Sequence, residues 1–517
     1  MATPSETDFS ALVARRLQRL GARYRRQLSL DAHLKGPREL NEECGVFGVI
    51  GTPDAAALTA LGLHALQHRG QEAAGVASFD GMAFRTERHL GLVSDNFSDA
   101  GVLARLKGVA AIGHTRYSTQ GETVLKNVQP LYADLDRNGI AIAHNGNLTN
   151  SRKLRTELVQ RGCIFQSTSD SELFLHLTAR SHHLLMVDKL IDALKQVEGA
   201  YALTILTRDG LLGARDPVGI RPLILGDLNG APILASETCA LDLIGAKFVR
   251  DIRPGEVVIC RPTGEVESRQ AFPQTTPARP CIFELIYFAR PNSVVDGKSV
   301  YQLRKSLGAR LALEARADAD MVAPIPDSGV PAAIGYAQAS GLPYEMALIR
   351  SHFVGRTFIE PEQRIREAGV ARKHSPNRGA IEGKRIVLID DSIVRGTTSR
   401  KIVQMLRNAG AREVHMRVAC PPILYPDFYG IDTPSRDELI AAKMSVDEIR
   451  AEIGVDSLAF LSLDGLYEAF GKGPRDKAAP AFTDHCFTGD YPTSLTDLGE
   501  TKRSAMIEQL SLLAETS

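Results

Sequence analysis

The 517-residue chain carries 61 Lys plus Arg against 61 Asp plus Glu, a formal net charge of zero. That balance supplies no global field to draw in nucleic acid or an anionic membrane, and no run reaches the roughly eighteen apolar residues of a membrane span. The length exceeds one ordinary hydrophobic core, so two or more domains are expected.

Seven cysteines, at 44, 163, 239, 260, 281, 420 and 486, are odd in number and form no CxxC pair. Neither a disulfide framework nor a zinc finger is predicted, and a reducing cytoplasm fits this usage. Residues 1–43 read as an extension: positions 11–26 have helical periodicity with a basic face of Arg15, Arg16, Arg19, Arg23 and Arg26. Glu6, Asp8, Asp31 and Glu39 argue against an organellar transit peptide.

At Cys44 the texture changes. CGVFGVIG reads as a strand, positions 54–67 as a helix, and strands are predicted at 75–79, 109–117, 140–145, 201–207, 212–215 and 222–225. Helices are predicted over 151–161, 171–180 and 186–197. Many short strands with few helices predict an α+β sandwich.

Four runs in this half carry chemistry: HALQHRG (64–70), GHTRYST (113–119), AHNGN (143–147) and TSDSE (168–172). Arg116, Asn145-Gly146 and Asp170 fall in settings that read as strand ends or loops. A zwitterionic amino acid needs such a set: a guanidinium for its carboxylate, an acid for its ammonium, and donors for a developing oxyanion. With Cys44, these runs resemble the glutaminase domain of class II glutamine amidotransferases, which are N-terminal-nucleophile hydrolases with an αββα sandwich. The resemblance implies that Cys44 attacks the glutamine side-chain amide, Asn145 and Gly146 hold the oxyanion, Arg116 binds the carboxylate and Asp170 the ammonium. It also implies that residues 1–43 are a propeptide. Cleavage after Glu43 would free the Cys44 α-amine, with an unperturbed pKa of about 7.7–8.0, as base for its own thiol.

A Pro-rich linker, PQTTPARP (273–280), precedes a second half with a repeated strand, loop and helix rhythm. A buried run begins at Cys281, and a helix is predicted over 300–316. A strand at 321–325 ends in Pro326-Asp327-Ser328-Gly329, before a helix over 330–339. Strands follow at 344–349, 385–390 and 413–420, and a helix over 398–411. The rhythm predicts a mostly parallel, doubly wound sheet.

In RIVLIDDSIVRGTTS (385–399), Asp390 and Asp391 end the strand, and a loop rich in hydroxyls leads into the helix. Strand ends and helix N-termini bind ligands and anions in such sheets. Backbone N–H groups with Ser392, Thr397, Thr398 and Ser399 can wrap a phosphate, with Gly396 permitting close approach or positive φ. The two acids can accept from sugar hydroxyls or help hold magnesium.

This run resembles the phosphoribosylpyrophosphate (PRPP) signature of type I phosphoribosyltransferases. By that resemblance PRPP is bound by Asp390, Asp391, Ser392, Arg395, Gly396, Thr397 and Thr398, with Asp327 and Ser328 in the pyrophosphate loop. Ser328, Asp390 and Asp391 would touch one Mg2+ per subunit. The long connection 350–384 is charged, and a basic lid there would bring Arg356 and Arg364 to PRPP.

The two halves in this order resemble the amidophosphoribosyltransferase family from about residue 42 to about residue 493, including FYGID (428–432) and CFTGDYP (486–492). Glucosamine-6-phosphate synthase and asparagine synthetase share the first half, but nothing in them calls for DDSIVRGTTS. A non-enzymatic nucleotide sensor of the same fold would show a broken catalytic constellation or a basic, aromatic-interleaved face.

The resemblance implies glutamine and PRPP as substrates, ammonia passing internally between two sites, inhibition by purine nucleotides, and a homotetramer or homodimer without nucleic acid or membrane. The implied domains are 1–43 (propeptide), 44–275 (glutaminase), 276–470 (phosphoribosyltransferase) and 471–517 (C-terminal extension, ending in a short helix). One branch of the family holds a [4Fe-4S] cluster on four cysteines. Of those positions only Cys281 and Cys486 are cysteine here, with Asp427 and Thr483 at the others, so no cluster is expected.

Overall fold

The structure is a computed structural model, and it describes residues 44–117, 124–135, 138–273, 277–350, 374–431, 433 and 435–498. Arg356, Arg364, the extension 1–43 and the helix expected near the C-terminus lie outside those residues.

The first half is two antiparallel sheets packed face to face. One contains β1 (Gly45–Ile50), β2 (Ala73–Phe79), β3 (Phe84–Leu90), β4 (Ala110–Arg116), β9 (Ile224–Leu228), β10 (Ala231–Ala235) and β11 (Lys247–Asp251), in the order β11-β9-β10-β1-β4-β2-β3. The other contains β5 (Leu131–Leu135), β6 (Asn138–Leu148), β7 (Gly199–Thr207), β8 (Gly210–Arg215), β12 (Glu256–Cys260) and β13 (Val266–Gln270), in the order β13-β12-β8-β7-β6-β5.

Period-two alternation decides which face each side chain buries. Val46 and Ile50 of β1 point between the sheets with Ile112, Ala141, Ala143, Ala202 and Leu211. Phe47 and Val49 point outward under helix α1 (Ala55–Ala65), which they share with Leu58 and Leu61. Because both faces of β1 are covered, it reads as a continuous apolar run rather than an alternating one. Helices α2 (Ser151–Gln160), α3 (Glu172–Arg180) and α4 (Met186–Leu194) cover the second sheet through Leu154, Leu158, Phe174 and Leu190. With helix outside sheet on both sides, this is the αββα sandwich predicted.

The second half holds two short antiparallel pairs, β14 (Val294–Val295) with β15 (Lys298–Ser299) and β17 (Leu348–Arg350) with β18 (His374–Pro376), and a four-stranded, wholly parallel sheet of β16 (Met321–Pro324), β19 (Arg385–Asp390), β20 (Glu413–Val418) and β21 (Ser457–Phe460), in that spatial order. Its helices include α6 (Val300–Glu314), α7 (Val330–Ser340) and α8 (Thr397–Asn408), following the short α5 (Thr238–Ile244) of the first half. Strand β19 is buried along nearly its whole length, as a parallel strand covered on both faces must be.

The strand expected over 344–349 is a correction. Residues near Tyr344 add to the sheet edge by one parallel bridge to Val322, with Val322 N–H donating to Pro343 O and Glu345 N–H to Val322 O. The chain then leaves the sheet, and Leu348–Arg350 pairs antiparallel with His374–Pro376 instead. A strand here would have continued the parallel ladder, but its partners are the flanks of the long connection.

The two halves share a buried ionic seam. Arg69 of the first half pairs with Glu237 and, at 2.6 Å through Nη2, with Glu284 of the second. Glu284 lies 3.5 Å from Arg221 Nη1, and Arg221 donates from Nε and Nη2 to Tyr429 O at 3.0 and 2.9 Å. Residues past 470 also return to both halves. Thr483 bridges to Cys281, and Asp497 caps the start of α2, accepting from Arg152 N–H at 2.8 Å and Lys153 N–H at 3.1 Å.

Candidate active site

Cys44 immediately precedes β1, and the β1–β4 register sets Gly45 opposite Thr115. That register delivers Arg116, the last residue of β4, beside Cys44. The thiol is buried, and its Sγ lies 3.5 Å from Tyr117 O. Burial pushes its pKa upward, with the Arg116 guanidinium pulling the other way and Asp170 and Glu72 pushing it up. The thiol therefore needs a base to form thiolate near neutral pH.

The oxyanion candidates arrive from the other sheet. Strand β6 brings Asn145 and Gly146 to the same end of the sandwich, paired with Ala202 and Tyr201 of β7. Asn145 is buried, and its Nδ2 has no hydrogen-bond partner. A buried amide donor left unpaired is costly unless a ligand completes it. Gly146 has φ +134°, and a Cβ there would fall 2.1 Å from Ala200 O, so only glycine fits.

Asp170 stands in the turn before α3 and accepts from Leu148 N–H at 3.0 Å. Its turn is held by Glu172, which accepts from Gln166 N–H and Ser167 N–H at 2.7 Å each. Arg155 of α2 donates to Ser167 O and Ser169 O. The five residues predicted for the first site are thus carried to one end of the sandwich by β1, β4, β6 and the turn before α3.

In the second half, Asp390 ends β19 and Asp391 follows it, both buried. Asp391 accepts from Ser392 Oγ at 2.5 Å, and the Ser328 hydroxyl is near enough to the same carboxyl to oppose the rise of its pKa. Burial pushes its carboxyl pKa up, with the two serine hydroxyls and Arg304 opposing. The Pro-Asp-Ser-Gly turn and the central loop therefore meet, although they are about sixty residues apart in sequence.

Gly396 has φ +73°, and a Cβ would sit 2.8 Å from Ile440 Cδ1. Helix α8 begins at Thr397, next to Thr398, so its N-terminus faces the loop. Arg395 is engaged elsewhere, 3.1 Å from Glu438. The exposed Asp327 carboxylate pairs with Arg350, and His374 Nε2 contacts Pro326 O, so both flanks of the long connection touch this turn.

Arg304 and Arg69 were not singled out from sequence, and Asp427 was named there only as a non-cysteine at a cluster position. Arg304 is buried in α6, donates to Leu285 O and Ala289 O, and has its pKa lowered to about 10 by burial, with Asp391 opposing. Arg69 lies in the HALQHRG run, whose chemistry gave no hint of a partner in the other half. Asp427 accepts from Tyr429 N–H at 2.8 Å and Ile431 N–H at 2.7 Å, organising the loop that follows it.

A family model for a glutamine amidotransferase domain matches residues 114–242, and one for a phosphoribosyl transferase domain matches residues 293–452. The chain is 60% identical over 480 residues, 92% of its length and 96% of the relative, to an amidophosphoribosyltransferase of Rhizobium etli. It is 52% identical to a chloroplastic amidophosphoribosyltransferase of Glycine max, covering 88% of the chain and 79% of that protein. Among solved structures, a Bacillus subtilis glutamine PRPP amidotransferase complexed with ADP and GMP matches with TM-score 0.82 and 47% identity, over 87% of this chain and 98% of that one. On its fold, its two site regions and these matches, the chain belongs to the amidophosphoribosyltransferase family, which makes 5-phosphoribosylamine from glutamine and PRPP at the start of purine synthesis.

Proposed function

We propose that Cys44, Arg116, Asn145, Gly146 and Asp170 release ammonia from glutamine, and that the β19–α8 loop with the Pro-Asp-Ser-Gly turn binds the PRPP that receives it. The reaction is the family's: glutamine, PRPP and water give 5-phosphoribosylamine, glutamate and pyrophosphate. Cys44 Sγ attacks the side-chain carbonyl carbon while the α-amine, freed by removal of residues 1–43, takes the thiol proton and passes it to the departing nitrogen. Asn145 Nδ2 and the Gly146 N–H stabilise the oxyanion, ammonia leaves, and water hydrolyses the thioester to glutamate. Ammonia then attacks carbon 1 of PRPP, and pyrophosphate departs. The observation that supports this most is the buried, unpartnered Nδ2 of Asn145 at the end of the sandwich that also carries Cys44.

In the second site, Asp390 and Asp391 receive sugar hydroxyls, and Ser392, Gly396, Thr397 and Thr398 surround the 5-phosphate at the α8 N-terminus. Asp327 and Ser328 meet the pyrophosphate, Arg395 joins once it leaves Glu438, and Arg356 and Arg364 close from the long connection.

The site's donor set, two carboxylates and a serine hydroxyl at a strand end, suits a hard cation held jointly with substrate phosphates, so Asp390, Asp391 and Ser328 would hold one Mg2+. The chemistry it would supply there is neutralisation of the charge on the departing pyrophosphate. The cluster positions do not suit iron–sulfur ligation. Asp427 is committed to two backbone N–H groups and His485, Thr483 Oγ1 donates to Arg279 O, and burial raises both the Cys281 and Cys486 thiols, the former to about 11.

Purine nucleotides act as inhibitors and the assembly is a homodimer or homotetramer. The domains run 44–275 and 276–470 between a propeptide and a C-terminal extension. No helix among the described residues is long and apolar enough to cross a membrane, and the cysteine usage supports a cytoplasmic setting.

The test is PRPP- and magnesium-dependent glutamate release by the purified protein and by Cys44→Ala, repeated with ammonium as donor. The expected result is loss of glutamine-driven turnover to background in Cys44→Ala with ammonium-driven PRPP consumption retained. Retained glutamine-driven turnover in Cys44→Ala would overturn the nucleophile. Failure of both donors to consume PRPP would reduce the second half to a binding domain.

A further inference from the structure

The oxyanion strand is finished by the other half of the molecule. Residues 428–430, far from the glutaminase sequence, lie directly on Asn145–Asn147. Asn147 Nδ2 donates to Phe428 O at 2.9 Å. Gly430 has φ +120°, and a Cβ built on it would sit 3.1 Å from both the carbonyl carbon and the Cα of Gly146.

Gly146 is thus closed in on two sides, by Ala200 O of β7 and by Gly430. Two glycines meet back to back, and neither has room for a side chain. Gly430 faces the Gly146 Cα and carbonyl, and the Gly146 N–H is attached through that same Cα, so a shift of these atoms re-aims the donor.

The pressing loop has its own anchor. Asp427 Oδ2 accepts from Tyr429 N–H and Ile431 N–H, Asp427 Oδ1 is 2.9 Å from His485 Nε2, and Asp427 N–H donates to Thr433 Oγ1 at 2.6 Å. Arg221, from the first half, clamps Tyr429 O through two nitrogens. Asp427 and His485 are both buried. A buried carboxylate that accepts from two N–H groups of one loop holds that loop in a single conformation.

We propose that Asp427 and Gly430 are positioning residues for the glutaminase step: Asp427 shapes the loop, and Gly430 holds the Gly146 peptide so that its N–H points at the developing oxyanion. This rests on the assignment of Asn145 and Gly146 as oxyanion donors. Neither residue touches glutamine. The ammonia-generating site is therefore complete only when the phosphoribosyltransferase half is docked against it.

The experiment is steady-state kinetics on the full chain with glutamine and, separately, with ammonium, for wild type, Gly430→Ala, Asp427→Asn, Asp427→Ala and Asn145→Ala. Gly430→Ala is expected to lower the glutamine-driven kcat about a hundredfold, the scale of a lost oxyanion donor. Its glutamine KM should stay within about threefold, because a group acting only in the transition state leaves ground-state binding alone. Ammonium-driven turnover should stay within about twofold of wild type, since only the glutaminase step uses that peptide. Asp427→Asn keeps an acceptor for the two N–H groups and should lose much less than Asp427→Ala.

A merely structural role would lower both donors' rates together, and that outcome overturns the proposal. So does a full glutamine-driven kcat in Gly430→Ala, which decides the matter even where Asp427→Ala does not fold. Asn145→Ala separates the two layers. If it retains the wild-type kcat, the oxyanion assignment itself falls; if it is slow beside a full-rate Gly430→Ala, only the positioning role falls.

Discussion

In the proposed glutaminase site, Asn145 is a buried donor held ready at the cost of stability. Its Nδ2 has no partner, and burying an unpaired amide donor costs about 1–3 kcal/mol. Replacing it with alanine should lower the glutamine-driven kcat about 10²–10³-fold with little change in KM, while the thermal midpoint stays level or rises. Melting curves beside kinetics check both halves of that expectation. Cys44 makes a complementary case: its thiol is pushed up by burial, so on the proposed mechanism activity depends on the α-amine that removal of residues 1–43 would expose. Intact-mass measurement of an active preparation should therefore find Cys44 at the N-terminus, and full glutaminase activity on a chain still beginning at Met1 would refute this.

At the scale of elements, the turn that carries Asp170 depends on the first residue of α3. Burial pulls the Glu172 carboxyl upward, but the His176 imidazole 3.6 Å away and hydrogen bonds from Ser167 and the backbone outweigh it and hold the pKa at about 2. A pKa depressed below the unfolded value of about 4.3 adds stability that is fully present above that value and is lost as pH falls toward the folded pKa. Glu172→Gln should therefore lower the thermal midpoint most at neutral pH, the gap from wild type closing between about pH 4.3 and 2.

The β19–α8 loop is constrained differently. Gly396 is left-handed and packed against Ile440, so Gly396→Val combines αL strain of about 1–2 kcal/mol with a clash. Titration with PRPP should show weakened binding, with glutaminase chemistry at Cys44 intact once PRPP saturates.

Across the whole molecule, the halves are joined by charges rather than by apolar surface alone. Arg69 is fully buried and meets carboxylates from both halves, Glu237 and Glu284. Removing one partner of such a group leaves an uncompensated buried charge, worth about 3–5 kcal/mol. Arg69→Ala should lower the thermal midpoint and lose glutamine-driven turnover more than ammonium-driven turnover, because the seam also aligns Arg221 and the Tyr429 loop. Comparing the two donors in a scan of residual activity after heating measures this.

Much of the architecture was legible in the chain. Runs of apolar residues bounded by turns marked β1, β4, β7 and β19, because strands buried on both faces need apolar side chains at every position. The residue types needed for amide attack and for a pyrophosphorylated sugar were legible because such chemistry tolerates few substitutes. The short segment at 344–349 misled, since apolar content does not say which partner a strand takes: Tyr344 makes one parallel bridge and Leu348–Arg350 then pairs antiparallel outside the main sheet. Arg69, Arg304 and Asp427 were invisible as site residues because a charged side chain reads as solvated surface until its partners are known.

Fold class was determined by the sequence, which also holds the functional-group inventory of both proposed sites, since side-chain periodicity and residue type are local properties. The tertiary structure alone decided that Ser328 meets Asp391, that Arg69 bridges the halves, and that Gly430 backs Gly146. Each of those contacts joins residues tens to hundreds of positions apart, and no local propensity or spacing encodes which distant groups the folded core will press together.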